Sequence, residues 1–202
     1  MPPEMTEHRI QFTAAMLDRI IAEEKHETRR LAKPSELPPG APTRYGPKAG
    51  GSILWIAETH AFTGDSANPI IYRRDHENEW PQYPAWLPIT SPEQQQAREK
   101  FCQRGVRWRP PRFMHRHAAR LFLETESVAV EALQKLTPAG ARAEGAPDLS
   151  QYAAGAETEP HLLWFRQQWD TIYADRPEAQ WEANPKVLVV RFHLTADPTA
   201  TA

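Results

Sequence analysis

Proline placement does most to limit what this chain can fold into. There are 20 prolines against 9 glycines in 202 residues. Pro34, Pro38, Pro39, Pro42 and Pro47 crowd into one short stretch. Each removes a backbone donor and fixes φ, so neither a helix interior nor a central strand passes comfortably through such a stretch. Arg29 to Gly51 therefore reads as a loop. The segment DHENEWPQYPAWLPI, from Asp75 to Ile89, is aromatic and proline-rich and shows no usable period.

Regular structure must lie between these stretches. Met16, Leu17, Ile20 and Ile21 recur at helical spacing from Thr13 onward and run into Glu23 and Glu24. SILWIA, from Ser52 to Ala57, and PIIYR, from Pro69 to Arg73, read as strands. Ser91 and Pro92 with Gln94 make a helix start, and that helix would run to about Arg104. Strand signals return over Ala119 to Glu124 and over Ser127 to Leu133. Thr137-Pro138 opens a short helix to Glu144, which Gly145 stops. Residues 146 to 160 read as loop or insertion. Leu162, Phe165, Trp169 and Ile172 form one stripe of a helix over His161 to Tyr173. Lys186 to Leu194, KVLVVRFHL, carries the strongest strand signal.

Separated strands with few helices predict an α+β fold built on a small mixed β-barrel, not a doubly wound parallel sheet. One domain over residues 8–195 is expected, with loose termini at 1–7 and 196–202. The single cysteine, Cys102, excludes an intramolecular disulfide and a cysteine-based zinc cluster. No signal-peptide pattern and no run of roughly 20 apolar residues occurs, so a cytoplasmic protein without a membrane partner is expected.

The formal net charge of -2 argues against binding nucleic acid over the whole surface. A local site is different. Between Arg104 and Arg120 the chain has no acidic residue, yet it holds Arg104, Arg107, Arg109, Arg112, Arg116, Arg120, His115 and His117. Guanidinium groups concentrated in this way suit several phosphates. The seven tryptophans serve as core or as stacking platforms for a base. No metal site is expected, because His115, His117 and His60 lack a His-Glu-x-x-His arrangement or a cysteine partner. No cofactor motif is present either.

KHETRR places Lys25, Thr28, Arg29 and Arg30 together after the first helix. A basic residue there complements the helix dipole. A lysine whose proton is loosened by burial, beside a hydroxyl, is also a base and nucleophile pair. Glu58 and Glu144 are the carboxylates that could complete such a set.

In this order the pieces resemble the phage and bacterial branch of the ASCH family, within the PUA-like superfamily. The segments that carry the likeness are KHETRR, ILWIAETHAF, IIYRRD, VRWRPPRFMHRHAARLFLE, VEALQKLTPAGARAEG and WDTIYADRPEAQWEANPKVLVVRFHL. The resemblance implies a small β-barrel with flanking helices and a cleft facing RNA or a nucleotide-like ligand. More distantly, the chain is similar to small amidohydrolases that deacetylate acetylcytidine with a lysine, a threonine and a glutamate. Those roles would fall on Lys25, Thr28 and Glu144, with Arg30 two residues beyond the threonine. Where that pattern has a glycine and a basic residue before the lysine, this chain has Glu23 and Glu24. Met114-His115-Arg116 stands where Met-Pro-Arg is common, and Ala119 replaces a usual hydroxyl.

Three functions follow as expectations. One is binding of RNA or a modified nucleotide, with Arg29, Arg30, Arg112, Arg116 and Arg120 at phosphates and Trp55, Tyr72, Trp108 and Glu58 near the base. A second is an amidohydrolase acting on an acylated nucleoside. The third is an accessory protein whose tryptophan and proline segments contact another protein.

Overall fold

The computed structural model describes residues 6–47, 49–62, 70–76, 107–149 and 159–199. The fold is α+β. Contacts group the chain into two compact units, one of residues 1–9, 13–55 and 121–202, the other of residues 10–12 and 56–120. Strands β1 (Glu7–Gln11), β2 (Glu27–Leu31), β3 (Ile53–Ala57), β6 (Phe122–Ala132) and β7 (Lys186–Thr195) form one sheet in the order β1-β3-β6-β7-β2. Three pairs in it, β3 with β6, β6 with β7, and β7 with β2, are antiparallel. The described strands leave this sheet open, with β1 and β2 at its edges, where a barrel was expected.

Strand β7 is apolar on both faces because both are covered. Val187, Leu188, Val189 and Val190 are all buried, which is why this segment reads as a continuous run. The two strands expected around Thr125 are one strand. The register of β6 on β7 shifts between Thr125 and Ser127, so a bulge carries the extra residue without ending the strand. The loop expected from Arg29 begins later than the prolines suggest. Glu27–Leu31 pair with β7 in the register Glu27↔Arg191 to Leu31↔Val187, and sheet pairing overrides the weak local propensity of ETRRL.

The proline-rich stretch beyond it is organised by one buried acid. Glu36 accepts from Lys33 N at 2.7 Å, Arg44 N at 2.9 Å and Arg44 Nη1 at 3.1 Å. Arg44 Nη2 also donates to the Leu31 carbonyl, satisfying an acceptor at the end of edge strand β2.

Helices α1 (Ala14–Ile21), α2 (Pro138–Ala143) and α3 (Pro160–Ile172) belong to the first unit. Thr13 caps α1 through Met16 N, and Thr137 caps α2 through Gly140 N. Phe165 and Trp169 of α3 pack with Val187, Val189, Leu133, Leu136 and Ala141. The expected stripe on α3 is rotated: His161, Phe165 and Trp169 face inward, whereas Ile172 is 58% exposed.

In the second unit β4 (His60–Phe62) and β5 (Ile70–Tyr72) make an antiparallel pair. His60 also exchanges both backbone hydrogen bonds with Arg109. The helix expected from Ser91, the tryptophan-rich segment at 80–90 and Cys102 lie outside the described residues. Among the described residues no helix is long and apolar enough to cross a membrane.

Candidate functional site

Lys25 and Glu144 meet in the first unit although 119 residues separate them. The placement is built by short local rules. After α1 the Arg19 carbonyl accepts from both Glu24 N and Lys25 N, turning the chain sharply. Glu23 takes φ 58° in this turn, at the position where the resembled pattern has glycine. His26 is then held on both sides, with its N–H on the Ala143 carbonyl and its carbonyl on Phe192 N. Across from it, α2 ends at Glu144, and Gly145 follows at φ 90°. A Cβ on Gly145 would stand 3.0 Å from Arg19 Cδ and 3.3 Å from Lys25 Cβ, so glycine lets the two segments close.

The Lys25 side chain is fully buried. Its Nζ donates to Glu144 Oε2 at 2.6 Å, the Glu144 carbonyl at 2.7 Å and the Glu27 carbonyl at 2.8 Å. These three acceptors match the three ammonium protons. Arg29 Nη1 stands 3.4 Å from Glu144 Oε1 and 2.6 Å from Glu27 Oε1. The second contact is out of line for a hydrogen bond, so that attraction is coulombic. Arg191 Nε closes the other carboxylate oxygen of Glu27 at 2.8 Å. Two buried acids thus face two buried bases, which is how charges survive out of water. Burial lowers the Lys25 pKa and outweighs the opposing pull of Glu144, while Arg30 and Arg29 add to the fall.

Alternation along β2 divides KHETRR between the two faces of the sheet. Glu27 and Arg29 turn toward the acid and base cluster. Thr28 pairs instead with its same-face neighbour, its Oγ1 accepting from Arg30 Nη1 at 3.2 Å. Thr28 is 1% exposed.

A small cleft opens beside the cluster, with an enclosed volume of about 40 Å³. Arg29, Arg30 and Glu144 supply its polar wall, and Trp164, Phe165, Trp169 and Tyr173 its aromatic one. Arg29 also lies over the Phe165 ring at 6.0 Å. Trp164, Trp169 and Tyr173 were not among the site residues expected from sequence, where the tryptophans were read as core or as stacking platforms. Their signal was that Trp164 and Tyr173 flank the stripe, which makes it wider than a seam against one sheet needs.

The second unit gathers other expected site residues. Arg120 grips Glu58 with two hydrogen bonds, Nε to Oε1 at 2.9 Å and Nη2 to Oε2 at 3.0 Å. It also donates to both oxygens of Asp75 and covers the Tyr72 ring at 3.8 Å. Burial pulls the Arg120 pKa down, but the hydrogen bonds and charges of Glu58 and Asp75 outweigh it and hold it above the ordinary value. Arg120 is therefore engaged by two carboxylates. Glu58 is likewise taken, and one face of Tyr72 is covered. Tyr72 Oη donates to the Ala118 carbonyl at 2.7 Å.

Arg112 is exposed and lies over the Phe113 ring at 4.7 Å. Arg116 and Trp108 are half-buried in the same unit. Trp55 is half-buried on β3, opposite Phe122. The structure thus brings Lys25, Arg29, Arg30 and Glu144 together, and separately Glu58, Tyr72 and Arg120.

No family model and no curated protein matches the chain. Among solved structures it is similar to a DUF984-family protein from Enterococcus faecalis, at 11% identity and a TM-score of 0.44, covering 97% of this chain and 84% of that one. It is also similar to an ASCH domain from Lactobacillus crispatus, at 12% identity and a TM-score of 0.40, covering 95% and 81%.

Proposed function

We propose that the first unit binds a nucleotide, free or at an exposed position of an RNA, at the cleft beside Lys25 and Glu144. The observation that carries this reading is the composition of that cleft: two arginines and a carboxylate on one wall, aromatic rings on the other. A base edge offers donors and acceptors together, which a carboxylate and a guanidinium complement, while a ring stacks on tryptophan or tyrosine. An enclosed volume of about 40 Å³ admits one substituent of a base, with the remainder lying on the aromatic lip. Arg30, which lines the cleft, would be the group that meets a phosphate.

The test is titration of the full chain with cytidine monophosphate and with single-stranded RNA at two salt concentrations. Binding that weakens about tenfold in Trp164→Ala, and that loses salt dependence in Arg30→Ala, supports the reading. Wild-type protein that fails to bind either ligand at low salt overturns it.

One observation favours a second reading, hydrolysis of an acylated nucleoside. A buried lysine with a lowered pKa touches the glutamate to which the family resemblance assigns catalysis. Thr28 Oγ would attack the amide carbonyl and pass its proton to neutral Lys25 Nζ. The leaving amine would take that proton, and water would then cleave the acyl-Thr28 ester. This requires Lys25 to release one of its three acceptors and Thr28 to turn from Arg30. Acetylcytidine turnover by wild type that is abolished in Thr28→Val, a variant that keeps the buried shape, would establish it. No turnover by folded wild type removes it.

A further inference from the structure

The second unit carries a surface of its own between Arg107 and Ala118. That segment holds Arg107, Arg109, Arg112, His115, Arg116 and His117 and no acidic residue. It is pinned at three points. Arg109 exchanges both backbone hydrogen bonds with His60, Glu58 N donates to Met114 Sδ at 3.1 Å, and Tyr72 Oη donates to the Ala118 carbonyl at 2.7 Å. Between these points the chain makes two single 3-10 turns, Pro111–Phe113 and Arg116–Ala118, the first opened by Pro110 and Pro111.

The anchors decide which side chains meet water. Met114 and Ala118 are buried, while Phe113, His115 and His117 are exposed, Phe113 by 53%. Arg107, Arg109 and Arg112 are exposed as well. The rings are also ordered. His115 and His117 lie parallel within 7°, their centroids 5.7 Å apart. Arg112 covers Phe113 at 4.7 Å, and Arg109 covers the exposed ring of Phe62 at 5.3 Å.

Flat rings interleaved with guanidinium groups match a single strand of nucleic acid, whose phosphates take the cations and whose unpaired bases stack on the rings. An acidic peptide would use the guanidinium groups and leave the rings without a partner. A duplex keeps its base faces out of reach.

We infer that this surface binds single-stranded nucleic acid, with Arg107 and Arg109 at phosphates and Phe113, His115 and His117 under the bases. The inference does not rest on the cleft beside Lys25. That cleft would take one nucleotide by its base edge. Here the backbone and the ring faces are recognised, so little base preference is expected.

The experiment is a titration of the full chain with a single-stranded oligoadenylate of about eight nucleotides, the same backbone without bases, and polyglutamate. Oligoadenylate should bind with an affinity that falls as salt rises, and the abasic strand about tenfold more weakly. Phe113→Ala with His115→Ala should weaken oligoadenylate about tenfold. The same variant should leave titration with cytidine monophosphate unchanged, since neither residue lines the first-unit cleft. Arg107→Gln with Arg109→Gln should lower the slope of log affinity against log salt by about 1.4, at about 0.7 for each phosphate contact. All four side chains are exposed, so these variants keep the fold. No binding by wild type at low salt, an abasic strand or polyglutamate as tight as oligoadenylate, or an unchanged affinity in Phe113→Ala with His115→Ala overturns the inference. Wild type that binds oligoadenylate but not cytidine monophosphate, with the expected loss in that variant, removes the first-unit cleft and upholds this surface.

Discussion

The two ion clusters solve one problem with different cations. In the first unit, Lys25 is fully buried and holds Glu144 through a single point of charge. In the second, Arg120 keeps 29% of its side chain exposed and holds Glu58 through a planar fork. Burial lowers the pKa of Lys25, whereas the carboxylates around Arg120 raise its own. The arginine cluster is a fastening, because guanidinium does not give up a proton. The lysine cluster retains a proton that its surroundings have loosened. That difference makes Lys25, of the two cations, the one whose charge its surroundings can change.

The largest effect should come from breaking the buried pair. Glu144→Ala leaves Lys25 without its carboxylate and should cost about 3–5 kcal/mol, read by urea unfolding. Lys25→Met with Glu144→Leu removes both charges and should recover most of that loss. If the double variant is as unstable as the single one, the ion pair is not what holds α2 against the turn after α1. Arg120→Ala should cost less, about 2 kcal/mol, because water reaches its guanidinium and can partly replace it. Arg120→Lys should restore little, since an ammonium cannot grip Glu58 at two points. Equal losses at the two clusters would erase the contrast.

Proton linkage sharpens the comparison. The ordinary lysine value is 10.5, and the folded value of Lys25 lies below it. Between the two the unfolded chain still holds a proton that the folded chain has released. Stability therefore gains a rising contribution with pH across that window, and none below the folded value. The urea midpoint measured from pH 7 to pH 10 should rise more in wild type than in Lys25→Met. Arg120 adds no slope there, because it stays charged in both states. A wild-type profile parallel to that of Lys25→Met would mean that Glu144 fully compensates burial.

What could be read beforehand divides in the same way. The residues alone left Glu58 and Glu144 as carboxylate candidates for Lys25, and only family resemblance singled out Glu144, because no spacing rule links residues 119 apart. Glu27 went unnoticed beside them. Its alternation with Arg29 was visible in KHETRR, but the prolines that follow made the segment look like loop rather than edge strand. The strand β7 needed no context, since both its faces are apolar. The ion pairs of Arg120 were not legible, because it lies in a run without acidic residues. Its partners Glu58 and Asp75 come from elsewhere in the chain, and local composition cannot register them.

The smallest effect tests how Lys25 is delivered. Among the described residues only Glu23 and Asn184 take positive φ without being glycine, and Glu23 lies two positions before the lysine. A non-glycine residue in that conformation costs about 1–2 kcal/mol. Glu23 is exposed, so its side chain is not needed by the core. Glu23→Gly should therefore raise stability by about 1 kcal/mol, less the added freedom of glycine in the unfolded chain. Thermal unfolding of the variant reads the gain. If stability falls instead, the glutamate contributes something its backbone strain conceals. If it rises, the turn is strained by its residue and not by its path.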